Sequence, residues 1–183
     1  MCLFPVTIKR AYLSEKSSRD QTGAHLAEIV PCGKCVQCLR KRRNEWVFRL
    51  NQQMKVSTSY KFITLTYDKC PLSFNGHRTL RKKDLQDFLK RLRHLTPNKL
   101  KYYAVGEYGT HFKRPHYHLI LFNLPKDLTF TPAIIQSVWK HGLCHVGDVT
   151  GRSLSYVVSY VMSGRFSPEQ DEDRKSTRLN SSH

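Results

Sequence analysis

Two histidines separated by one residue stand in Arg114-Pro-His-Tyr-His-Leu-Ile-Leu-Phe122. In an extended strand alternate residues share a face, so His116 and His118 point the same way and Tyr117 the other. Two imidazoles so placed can grip one metal ion. Upstream, Val105-Gly-Glu107 ends another predicted strand. If the two strands pair as a hairpin, the Glu107 carboxylate lies across from the histidines and completes a two-histidine, one-carboxylate face. Such a face leaves coordination positions open for water or a phosphate oxygen. A His-x-His pair alone is weak, because core packing produces it too. The glutamate on the partner strand makes it far more specific.

Tyr156-Val-Val-Ser-Tyr160 puts two phenols one helical turn apart on one face. Two aromatics at that spacing often do no more than pack. With its pKa near 10, a tyrosine attacks only when a metal or base assists it, and the phosphotyrosine that results can be reversed. Cys32-Gly-Lys-Cys-Val-Gln-Cys38 supplies three thiols, and Cys2 can be a fourth. Four thiolates suit a closed structural zinc site, with unligated thiols the alternative. Cys70 and Cys144 stand alone and read as small hydrophobes.

These residues need elements to hold them. A helix is predicted over residues 32–56, apolar through Val36, Leu39, Trp46, Val47, Leu50 and Met54. It is basic through Arg40, Lys41, Arg42 and Arg43. Tyr60–Tyr67 is β-branched and aromatic, hence a strand. Leu85, Phe88, Leu89, Leu92 and Leu95 recur at helical spacing, and Pro97 ends that helix. Strands at 100–107 and 116–122, a short helix at 131–141, a strand at 143–149 and a helix at 153–162 complete the order. The fold class is α+β, an antiparallel sheet with packed helices preceded by a Cys-rich basic helix. Residues 1–31 show no clear periodicity, and 14–23 read as a loop.

The chain has 183 residues, with Lys+Arg 31 against Asp+Glu 14 and a net charge of +17. That field gathers polyanions, of which nucleic acid is the commonest in a cell. Arg40 to Arg43, and Arg81, Lys82 and Lys83 on the second helix, are the basic faces to meet phosphate, with Arg114 beside the histidines. Nothing reads as a membrane span or a secretory signal, and the expected location is cytosolic.

The last eleven residues, 173–183, resemble the translation of a sequencing-library adapter, so the natural chain is expected to continue differently after about Glu172. They are set aside from fold reasoning, which lowers the net charge by two through Asp173, Arg174, Lys175 and Arg178. The expected organisation is a Cys-rich basic segment at 1–57, a main domain at 58–164 and a disordered tail at 165–183.

Several strings together resemble the replication initiators of small tailless single-stranded DNA phages, the microviruses of the gokushovirus type. They are Cys32-Gly-Lys-Cys with Cys38, Arg42, Arg43 and Trp46; Phe62-Ile-Thr-Leu-Thr-Tyr67; Leu80-Arg-Lys with Asp84-Leu-Gln86; Val105-Gly-Glu-Tyr-Gly109; the histidine string; and Tyr156-Val-Val-Ser-Tyr160. The resemblance covers residues 32–163 and implies a C-terminally truncated HUH endonuclease on a ferredoxin- or RRM-like sheet. It implies magnesium or manganese on Glu107, His116 and His118, with Tyr156 and Tyr160 as nucleophiles. The implied partners are single-stranded viral origin DNA and host replication proteins, in the cytoplasm of a bacterial host. That family usually carries lysine three residues after each tyrosine, where this chain has Ser159 and Ser163. Other readings are another HUH enzyme (a relaxase or transposase), an iron(II) oxygenase on the same triad, and a non-catalytic single-strand-binding module stacking bases on Phe62, Tyr103 and Phe122.

Overall fold

The computed structural model describes residues 1–9, 27–96, 99–109, 112–125, 132–163 and 178–180; for residues 9, 27, 160–163 and 178–180 it describes the backbone alone. The predicted loop at 14–23 lies outside these residues. The elements run β1 (Val6–Lys9), β2 (Ala27–Val30), α1 (Val36–Val56), β3 (Tyr60–Tyr67), α2 (Lys82–Leu95), β4 (Lys101–Tyr108), β5 (Pro115–Phe122), α3 (Pro132–Val138), β6 (Gly142–Gly147), α4 (Gly151–Ser163) and β7 (Arg178–Asn180). The chain falls into two units, Met1–Glu45 and Trp46–His183. The division lies inside α1 rather than after residue 57. The apolar stripe of Trp46, Val47, Leu50 and Met54 explains this, since it packs into the core of the second unit.

The first unit contains the antiparallel pair β1–β2, with Val6 opposite Val30 and Ile8 opposite Glu28. Sequence periodicity missed it because its strands are only four residues each.

The second unit is a five-stranded sheet in the order β6-β3-β5-β4-β7. Each of its pairings is antiparallel. The run β3-α2-β4-β5-α3-β6 places β5 between β3 and β4 and β6 on the outer side of β3, the ferredoxin-like arrangement. Every residue of β5 except half-buried His116 is buried, because both faces of the sheet are covered. Ile63, Leu65, Leu119 and Leu121 meet Leu85, Phe88, Leu89 and Leu92 of α2 and Ile135 and Val138 of α3. Leu95, included in the predicted stripe, is exposed in the last turn of α2. The other face carries Tyr103, Val105, Ile120 and Phe122 against Leu50 of α1 and Leu154, Val157 and Val158 of α4.

The tail set aside from the sequence reading contributes a short strand. Arg178–Asn180 pairs with β4 through Tyr103↔Asn180 and Val105↔Arg178. Without it β4 would present an unpaired edge, which accepts almost any short extended segment. The rest of the tail lies outside the described residues.

Gly142 opens β6 with φ +151°, and a Cβ there would stand 2.3 Å from the Thr66 carbonyl oxygen and 2.4 Å from the Asp68 amide nitrogen. Backbone cannot yield as a side-chain tip can. Gly142→Ala is therefore expected to cost about 3 kcal/mol or more, read as a lowered urea midpoint. Gly151→Ala, at a helix start with nothing within 4 Å, should be neutral or mildly stabilising.

Candidate active site

The β4–β5 register sets Glu107 directly opposite His116, with Val105 opposite His118. All three functional side chains project onto the α1/α4 face. The result is a compact triad: Glu107 Oε2 lies 3.1 Å from His116 Nε2 and 3.0 Å from His118 Nε2. Glu107 and His118 are buried, with exposures of 9% and 6%. The two rings sit edge to face with centroids 4.8 Å apart.

The far side of each ring is held as well. His116 Nδ1 is 2.9 Å from the Arg114 carbonyl oxygen, and His118 Nδ1 is 3.0 Å from Thr64 Oγ1. A carbonyl only accepts, so His116 Nδ1 must donate to it, which leaves Nε2 free to bind a cation. Phe62 stacks on His118 at 5.6 Å. Thr64 and the Arg114 carbonyl are supporting groups that the sequence reading did not single out. The β-strand parity of Thr64 opposite His118 is the signal that could have found the first.

Electrostatics separates the two histidines. Burial works against the charged form of His116, but the hydrogen bonds to Glu107 and the Arg114 carbonyl, with the Glu107 charge, outweigh it and raise its pKa. His118 is lowered, by burial first and by its His116 neighbour, against the pull of Glu107.

Glu107, His116 and His118 each offer a ligand atom within one small cluster. The measured O–N separations match the edge of an octahedron with ligands at about 2.1 Å, which is about 3.0 Å. The donor set, one hard carboxylate oxygen and two imidazole nitrogens, fits a divalent ion with open positions.

Helix α4 brings a phenol to this face. Its start is fixed by a reciprocal cap: Ser153 N–H donates to Thr150 Oγ1 at 3.1 Å and Thr150 N–H to Ser153 Oγ at 2.7 Å. With Leu154, Val157 and Val158 turned into the core, Tyr156 is left on the helix flank, 45% exposed. Its hydroxyl lies 3.5 Å from Glu107 Oε2 and its ring 5.4 Å from that of His118. Tyr160 follows one turn later on the same helix, with its side chain outside the described residues. Ser159, where a lysine was expected by resemblance, donates its hydroxyl to the Tyr156 carbonyl at 2.7 Å.

The second cluster lies in the first unit. Cys2 Sγ is 3.5 Å from Cys32 Sγ and 3.8 Å from Cys35 Sγ, and Cys32 Sγ is 3.9 Å from Cys38 Sγ. A tetrahedron with Zn–S bonds of about 2.3 Å has S···S edges of about 3.8 Å, so the spacing fits one zinc ion. Backbone N–H groups of Leu3 and Cys38 bring the Cys35 thiol down to about 6, and those of Cys35 and Lys34 lower Cys32. Desolvation pushes Cys38 up to about 12. Cys70 and Cys144 pack against the core of the second unit, as expected of small hydrophobes.

The basic residues divide. Arg40 and Lys41 are exposed on α1, and Arg42 and Arg43 are half-buried. Arg81 and Lys83 are exposed at the start of α2, where Lys83 pairs with Asp87 at 2.8 Å, and Lys82 is half-buried. Arg114 donates through Nε at 3.0 Å, and through its terminal amino group, to the Tyr67 carbonyl. Among the described residues no helix is long and apolar enough to cross a membrane. Tyr103 and Phe122 are buried at 3% and 1% exposure, so the base-stacking platform envisaged with Phe62 is covered by α1 and α4.

The family model for the phage replication-associated protein ORF2 matches residues 60–165, which include the whole triad and both tyrosines. The chain belongs to this family. The replication-associated protein ORF2 of Spiroplasma virus 4 is 33% identical to it over 73% of this chain and 48% of the relative. VP4 of Bdellovibrio phage phiMH2K is 32% identical over 86% and 54%, and ORF4 of Chlamydia phage 1 is 28% identical over 86% and 45%. Both are replication-associated proteins, and the kinship with phage replication proteins read from the motifs holds. The chain spans about half the length of the curated relatives it matches. A solved structure, the hypothetical protein ORF119 from Sulfolobus islandicus rod-shaped virus 1, overlaps at a TM-score of 0.40 and 15% identity, over 70% of this chain and 95% of that one.

A divalent ion at the triad competes with protons for His116 and His118 Nε2. Because His116 is raised, its proton is the harder one to displace as pH falls. Manganese affinity, measured by calorimetric titration, is therefore expected to be weaker at pH 5.5 than at pH 7.5, by roughly tenfold per pH unit for each proton displaced.

Proposed function

We propose that the chain initiates rolling-circle replication of phage DNA by cutting and rejoining a single strand through tyrosine. The observation that carries this reading is the convergence of Tyr156 on the Glu107–His116–His118 triad, on one face of the sheet. Magnesium or manganese held by those three residues would polarise the scissile phosphate and lower the barrier to attack.

The residues supply the rest. The Tyr156 phenol gives up its proton, for which the Glu107 carboxylate at 3.5 Å is the nearest base in hand. Its oxygen attacks phosphorus in line, the Tyr O–P bond forms, and the P–O3′ bond breaks. The departing 3′ oxygen takes a proton and becomes the hydroxyl that primes synthesis, while the 5′ end stays on tyrosine. Tyr160, one helical turn on, would serve the next round, and attack by a 3′-hydroxyl on the phosphotyrosine reverses the chemistry to rejoin the strand. The net charge of +17 supports a polyanionic substrate rather than the small organic substrate of an iron(II) oxygenase. Arg40, Lys41, Arg81 and Lys83 are the exposed cations to track the backbone. On this reading residues 58–164 form the nuclease domain, and host replication proteins in the bacterial cytoplasm extend the primer.

His116→Ala with His118→Ala should lower manganese-dependent cleavage of single-stranded oligonucleotides at least about 100-fold while leaving binding largely intact. Tyr156→Phe with Tyr160→Phe should abolish the covalent protein–DNA adduct on a denaturing gel. An adduct that persists in the double-Phe variant would remove the nucleophile assignment.

For the cysteine cluster we propose structural zinc on Cys2, Cys32, Cys35 and Cys38. One equivalent of zinc should accompany chain purified without chelator, measured by elemental analysis. Cys35→Ser should lower that content well below one.

A further inference from the structure

A cavity of about 450 Å3 opens between the loop joining β3 to α2 and the turn joining β4 to β5. Asp68, Leu72, Arg78, Phe112 and Arg114 line it. Its walls are built in advance. Ser73 N–H donates to the His77 carbonyl at 2.7 Å, Thr79 N–H to the Pro71 carbonyl at 2.9 Å, and Leu72 bridges Arg78, so the first loop is a miniature hairpin. Arg78 then reaches over and donates to the Phe112 carbonyl at 3.3 Å, tying the two loops together. Arg114 is fixed on the Tyr67 carbonyl. Both guanidiniums are positioned by neutral carbonyls, which leaves their charge unneutralised there and several N–H donors over.

The apolar lining is as telling as the charge. Phe112 is 82% exposed and Leu72 58%, beside two cations. Aromatic and aliphatic faces next to guanidinium are how proteins hold single nucleotides, the base stacked and the phosphate paired. The cavity also adjoins the triad covalently: the Arg114 carbonyl, on a lining residue, accepts from both His116 Nδ1 and Gly109 N–H, at 2.9 and 3.0 Å. A strand crossing the triad has this pocket as its next stop.

We infer that the cavity holds one nucleotide flanking the cut phosphate and selects its base. The base lies against Phe112 and Leu72, and its phosphate lies on Arg78 and Arg114. Asp68 accepts from the exocyclic amino group. A carboxylate repels phosphate and only accepts hydrogen bonds, so it fixes which end of the nucleotide enters and which bases fit. Cytosine and adenine offer an amino donor, and thymine offers none. The volume falls within the range of small-molecule sites. This inference rests on the reading of the triad as a DNA-cutting centre for its place in the reaction, though not for the binding itself.

The test is fluorescence anisotropy on the full chain, without added metal, using labelled oligo(dC) and oligo(dT). Oligo(dC) should bind about tenfold more tightly than oligo(dT). Phe112→Ala should weaken oligo(dC) binding about tenfold, and its exposed position keeps the fold out of the result. Asp68→Ala should bring the two affinities together. Arg78→Ala should reduce the salt dependence by about one ion, with Arg78→Lys restoring it. Equal binding of oligo(dC) and oligo(dT) by the parent chain, or parent-like binding by both Phe112→Ala and Arg78→Ala, overturns the pocket. If the pocket variants change affinity in a chain that never forms an adduct, the pocket stands and the nuclease reading falls. If adducts form while those variants bind as the parent does, the reverse holds.

Discussion

A buried carboxylate facing two imidazole nitrogens is the constraint around which this molecule is arranged. His116 must donate from Nδ1, because the group it meets there is a carbonyl. Its Nε2 lone pair then confronts a Glu107 oxygen at 3.1 Å. Two acceptors cannot sit so close, away from water, without a positive charge between or upon them. A proton on His116 satisfies that demand, in keeping with its raised pKa, and so does a divalent cation. The same arrangement therefore stores a proton when empty and exchanges it for metal.

Holding that arrangement requires a particular sheet. Glu107 and His116 meet because β4 and β5 pair in one register, and a slip of one residue would carry the histidines through to the α2/α3 side. The register is pinned from both faces by Leu119 and Leu121 on one side and Ile120 and Phe122 on the other. The phenol arrives by an independent route. It rides on a helix whose own start is locked by Thr150 and Ser153 and whose inner face is seated by three aliphatic residues. Charge, strand pairing and helix seating thus converge on one point from separate stretches of sequence.

Much of this was legible beforehand. The β3 bounds follow directly from its β-branched run, and β4, β5, α2 and α4 fall close to their predicted positions because their patterns are long and periodic. The triad was visible through parity alone: His116, His118 and a glutamate ending the preceding strand. The division inside α1 was not visible, because a helix's periodicity does not say which of its turns packs on what. The four-residue strands β1 and β2 are too short for alternation to register. Arg114 looked like a free phosphate ligand. Only the folded structure reveals that part of its guanidinium is spent on the Tyr67 carbonyl. The loop carrying Leu72, Arg78 and its bridge offers no period at all, since it is held by backbone bonds that any residues can make.

The two-sided burial of β5 has a consequence for how this chain can change over generations. A surface helix such as α2 keeps an outer row on which most substitutions pass unnoticed. β5 has no such row: its odd positions serve one core and its even positions serve the other or the triad. Each replacement there is felt as a void, a clash or a lost ligand. The eight residues Pro115–Phe122 are accordingly the part of the sequence with the least freedom to drift, and lineages can diverge widely around them while that segment stays nearly fixed.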